Sequence, residues 1–107
     1  MITDERRDKA LQFLVNTDES AATSRAYMLG LEKQEKTILA TELLKSEQKT
    51  GPLREAEARV SDVYKEWRKV YENALFDFEI AKNRRNTAAL VIECWRSENA
   101  NRRKGNL

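Results

Sequence analysis

The sequence contains no histidine, and that absence removes a wide range of chemistry at once. Without an imidazole there is no Ser–His or Cys–His nucleophile pair and no His-ligated zinc or di-iron centre. The single cysteine, Cys94, can form neither an internal disulfide nor a thiolate metal site. Glycine occurs three times and proline once in 107 residues, so few tight turns can be built. Gly30, Gly51 and Gly105 are isolated and make no phosphate-cradling loop. Long apolar runs are missing as well. The longest, 88–92, falls far short of the ~20 residues that span a bilayer. The first residues are charged and lack the apolar core of a signal peptide, so a cytoplasmic setting is expected.

What remains is helix-forming material. Ala, Leu, Glu, Lys, Arg and Gln dominate, and 36% of the residues are charged. The expected fold is all-α: a single domain over 1–107, built as an elongated helical hairpin or coiled-coil-like bundle with one very long C-terminal helix. A first helix is expected over 4–15, capped by Thr3 or Asp4, with Asn16-Thr17-Asp18 as a turn after it. A second is expected over 19–49, closed by Thr50-Gly51-Pro52, where Gly51 supplies a permissive backbone and Pro52 opens the next helix.

The third segment, 53–103, has neither Gly nor Pro. Val60, Val63, Trp67, Val70 and Ala74 lie close to heptad spacing, and a four-residue step to Phe78 resets the phase toward Ile92 and Trp95, like a stutter. A break at the polar stretch 83–87 is the alternative and would give a compact four-helix bundle. A helix of about fifty residues outruns a partner of about thirty, and Trp67, Tyr71, Phe76, Phe78 and Trp95 cost ~1.5–3 kcal/mol each to leave in water. Either the first helix folds back over the overhang or a second copy covers it, so a homo-oligomer is expected. Its association seam would run through Val60, Val63, Trp67, Val70, Phe78, Ile92 and Trp95.

Candidate sites are few. Glu32 and Glu35 form one carboxylate pair of the kind that holds Mg²⁺ in all-α nucleotide pyrophosphohydrolases, but no E-x-x-D partner follows. No catalytic residue, metal ligand or cofactor is therefore expected, and the chain reads as a non-enzyme. Cys94, beside Trp95, is expected to be a small buried hydrophobe. Trp67 and Trp95 fall on the apolar seam, so core packing is the better reading for them than base stacking; Tyr64 and Tyr71, one heptad apart, flank it.

Charge is uneven. Residues 82–107 carry seven basic and two acidic groups, net +5, whereas the rest carries thirteen and sixteen, net −3. Arg85, Arg96 and Arg103 share one face of a continuous helix, and with Asn99, Arg102 and Lys104 they could meet phosphates or another anionic partner. The competing reading is that cations at a helix C-terminus complement its dipole, with Gly105 as the stop.

The C-terminal half, with its W-R-S-x-N-A-N-R-R stretch at 95–103, resembles small uncharacterised helical proteins encoded in the early regions of tailed bacteriophages and prophages. The resemblance covers about half the chain and carries over no site residues. It implies a role in the host cytoplasm during infection, near phage DNA recombination or replication proteins. The expected function is thus a helical interaction protein, a phage accessory or inhibitor acting on a protein partner. The alternative is a nucleic-acid-binding accessory factor using the basic C-terminal helix.

Overall fold

The computed structural model describes residues 1–105. Three helices hold nearly all of them: α1 (Asp4–Lys45), α2 (Gly51–Arg59) and α3 (Asp62–Gly105), with no strand among the described residues. The all-α fold with a very long C-terminal helix is therefore present. None of the helices is long and apolar enough to cross a membrane.

The chain divides into two compact units, a terminal unit of Met1–Thr23 with Glu79–Leu107 and a central unit of Ser24–Phe78. In each, α1 and α3 pack antiparallel. In the central unit the Trp67 indole donates to the Leu31 carbonyl at 2.8 Å and the Tyr64 hydroxyl to the Glu35 carboxylate at 3.3 Å. In the terminal unit the Ile2 amide donates to Glu98 and the Trp95 indole to Asp4, both at 2.8 Å.

The residues of α3 withdrawn from solvent include Tyr64, Trp67, Tyr71, Ala74, Phe78, Ala81, Arg85, Ala88, Ile92, Trp95 and Asn99. Their steps alternate three and four without a break, a strict heptad repeat. The expected stutter at Phe78 is absent. Val60 and Val63 lie off the seam, 62% and 50% exposed, and Val70 only flanks it. Tyr64 and Tyr71 take the places the sequence assigned to the valines. Phe76, expected to need cover, is 65% exposed.

α1 carries a matching heptad row of Arg7, Ala10, Leu14, Thr17, Ala21, Ser24, Met28, Leu31, Glu35, Ile38 and Glu42, all buried or half-buried. The turn expected at Asn16-Thr17-Asp18 is helix instead. The Thr17 hydroxyl donates to the Phe13 carbonyl at 2.7 Å and the Gln12 amide to Asn16 at 2.8 Å, so both groups are satisfied inside the helix. The two expected N-terminal helices are thus one of 42 residues, against 44 in α3. The overhang that called for a second copy does not exist, because 4–23 and 24–45 each cover a stretch of α3.

The chain break also moves. α3 runs unbroken through 83–87 and begins instead at Asp62, after Val60-Ser61. There the Ser61 hydroxyl donates to the Ala58 carbonyl at 2.7 Å and accepts from the Tyr64 amide at 3.3 Å, closing α2 and capping α3. α1 stops at Lys45, four residues early, where the Ser46 hydroxyl donates to Glu57 at 2.7 Å and accepts from the Gln48 amide. Thr50 caps α2 through the Leu53 amide, and no glycine has positive φ, so Gly51 is not the conformational device expected of it.

Aromatic rings hold the central unit. Trp67 stacks on Tyr71 at 5.3 Å and 6°, and Tyr64 packs against it at a tilt at 5.4 Å. Burial pushes the Tyr71 phenol above its ordinary value of 10.0, and the Glu32 and Glu35 carboxylates push the same way. The folded state therefore holds the neutral phenol more firmly than the unfolded chain does. That contribution is complete below pH 10 and is lost as pH rises through the raised value. Tyr71→Phe should accordingly lose less of its urea midpoint than the parent on moving from neutral pH to above pH 10. Equal losses would refute the assignment.

Candidate functional site

In the terminal unit α1 and α3 cross the seam at two alanines, Ala10 and Ala88, only 8% and 7% exposed. Side chains this small fill the seam without rising above it. Over them lies an open groove of about 470 Å³, walled by Phe13 and Val91, both half-buried. Its rim carries Arg6, Lys9 and Arg84 beside Asn83 and Thr87. It holds no carboxylate, thiol or imidazole. The Lys9 ammonium lies 3.2 Å from Glu5, whereas Arg6 and Arg84 make no ion pair among the described residues. Because the helices are antiparallel, the cations stand at opposite ends. Arg6 is level with the turn of Trp95, over which its neighbour Arg7 lies, and Arg84 with the turn of Thr17, which its neighbour Arg85 reaches.

The basic residues singled out in the sequence separate into two kinds. The Arg85 guanidinium is turned inward and donates to the Leu14 carbonyl at 2.9 Å, the Thr17 hydroxyl at 2.7 Å and the Asp18 carboxylate at 3.3 Å. It cross-links the helices, whereas Arg96 and Arg103 are exposed. Arg96 is exposed and pairs with Glu93 at 3.0 Å. Arg102, Arg103 and Lys104 are exposed in the last turn of α3, with no ion pair among the described residues. Asn99 is half-buried and lines a shallow, polar hollow of about 460 Å³ with Trp95, Arg96 and Arg103.

Trp95 is held for packing. Arg7 lies over its ring at 4.2 Å and Asp4 accepts from its indole, so one face of the ring and its N–H are already engaged within the chain. Trp67 is buried, and Phe78 and Ile92 are half-buried in the seam. Cys94 is exposed, contrary to the expectation of burial, because the seam passes through Ile92 and Trp95 on either side of it. Glu35 accepts from Tyr64, and no group of three metal-ligating side chains occurs among the described residues.

The groove was not found from the sequence. Phe13 and Val91 read there as ordinary apolar residues, and the basic rim draws on two segments some seventy positions apart. The one signal available was local. Arg6, Lys9 and Phe13 share a face of α1, and Arg84, Thr87 and Val91 share a face of α3, at the same i, i+3, i+7 spacing. Comparison with known protein families, characterised proteins and solved structures finds no match.

Proposed function

We propose that this chain is a non-enzymatic helical interaction protein that docks a protein partner on its terminal unit. The observation that carries this reading is the groove over Ala10 and Ala88, whose apolar floor and walls are left open between the two helices. Its residues include good contact groups and no carboxylate, thiol or imidazole to move a proton or attack a substrate. The aromatic seam, by contrast, is covered from within the chain, so attraction between two copies through Trp67 and its neighbours loses its ground. The phage likeness of 95–103 supplies the setting, a host cytoplasm during infection.

Cys94 offers a direct test, since it is exposed and lies one helical turn beyond Val91. A photoreactive maleimide on Cys94 should give a discrete protein adduct, identified by mass spectrometry, in extract of the cells that make the protein. The same reagent attached at position 40, in a double variant Cys94→Ser, Ala40→Cys, should not. Adducts of equal yield at both positions, or none at either, would overturn the reading.

A second reading rests on the exposed run Arg102-Arg103-Lys104. Those cations could neutralise phosphates, with weak, salt-sensitive affinity. Anisotropy titration with DNA and RNA at about 50 mM salt, where such binding is strongest, decides it. Absence of binding there removes it.

A further inference from the structure

The groove can be read for its occupant, on the premise that it is the docking site just described. We infer that it takes an amphipathic helix of a partner protein whose apolar stripe is bracketed at both ends by Asp or Glu, completing a three-helix arrangement in the terminal unit.

The shape fits a helix. Two antiparallel helices present parallel rows, Arg6, Lys9 and Phe13 on one and Arg84, Thr87 and Val91 on the other, with Ala10 and Ala88 as the floor between. A third helix laid along such a channel buries residues at i, i+3, i+4 and i+7 against the floor and walls. Phe13 and Val91, now half-buried, would become the anchors.

The charge selects the partner. The rim is cationic on both sides, and the groove lining holds no acid. A second copy seated on this face would bring further cations and no acid from its own groove lining, so self-association through this face is opposed. A nucleic-acid strand would meet the cations but leave the aliphatic floor without an apolar counterpart. An acidic helix answers both features. Arg6 and the level of Arg84 are about eleven helical residues apart, so the bracketing acids should lie roughly 16 Å apart along the partner.

The probe is a fluorescein-labelled synthetic peptide, helical, with leucines on one face and glutamates bracketing them at that spacing. A twin peptide carries lysines in place of the glutamates. The full chain should bind the glutamate peptide saturably and the lysine peptide at least about tenfold more weakly. In the double variant Arg6→Glu, Arg84→Glu the order should invert. Both side chains are exposed and make no ion pair among the described residues, so circular dichroism should show the fold unchanged. Equal affinity for the two peptides overturns the inference, as does no saturable binding, or displacement of the peptide by an equimolar single-stranded oligonucleotide. A site-specific protein adduct at Cys94 together with failure of the glutamate peptide would overturn this choice of occupant while leaving the protein-docking reading intact.

Discussion

Trp67→Ala is expected to lower the unfolding free energy by about 3–5 kcal/mol, the range for removing a buried aromatic side chain. The indole is 7% exposed, stacks on Tyr71, meets Tyr64 at a tilt and donates to the Leu31 carbonyl at 2.8 Å. No other side chain of the central unit combines such a ring with a hydrogen bond to the backbone of the facing helix. A domain of this size is commonly stable by only about 5–15 kcal/mol, so a loss of this order is a large fraction of the whole. Trp67→Phe keeps a ring in the stack and forfeits the hydrogen bond, which contributes about 1 kcal/mol. Its cost should therefore be well under half that of the alanine. Urea unfolding followed by far-ultraviolet circular dichroism ranks the two. Near-equal midpoints for Trp67→Ala and the parent would mean that the aromatic stack does not hold the central unit.

Arg85→Ala should cost about 2–3 kcal/mol, from charge-assisted hydrogen bonds together with lost packing of the aliphatic stem. Its side chain is only 24% exposed, and its three acceptors all lie on α1. The exposed pairing with Asp18 contributes least, because that carboxylate is 79% exposed and screened by water. Arg85→Met retains the stem and should recover roughly half the loss, at ~0.8 kcal/mol per buried methylene. Arg102→Ala and Arg103→Ala, at exposed positions without ion pairs, should stay within about 0.5 kcal/mol of the parent. In thermal unfolding, Arg85→Ala should then melt about 10 °C or more below the others. If all three alanine variants melt together, Arg85 is a surface cation and the inward placement of its guanidinium is refuted.

The fold class was legible because composition leaves so little else to build. With so few glycines and prolines and so many strong helix formers, long helices are the default. The pairing was legible only in part, and the reason is physical. Reading by hydropathy follows Val63 and Val70, yet the seam takes Tyr64 and Tyr71, one residue along in each case. A tyrosine ring covers more of a partner helix than a valine does, and its hydroxyl still reaches a partner such as Glu35. On α1 the seam positions include Thr17, Ser24, Glu35 and Glu42, so the apolar periodicity is faint where the packing is real. Arg85, Thr17 and Asp18 carried the largest misreading. As single residues they look like a surface cation and a turn, but together they form a polar clasp across two long helices. The groove was hidden for a related reason. It exists because Ala10 and Ala88 are both small and lie within about one turn of each other along the paired helices, and that coincidence appears only once the register is known.

That register underlies everything else: the heptad rows of α1 and α3 close on each other inside one chain, and the proposed docking rests on the groove they leave open. Sedimentation equilibrium over a wide range of concentrations tests this most directly. A single species of 12.5 kDa throughout is the expected result. A species of twice that mass that persists on dilution, and that dissociates when Trp67 is replaced, would mean that the seam joins two copies instead.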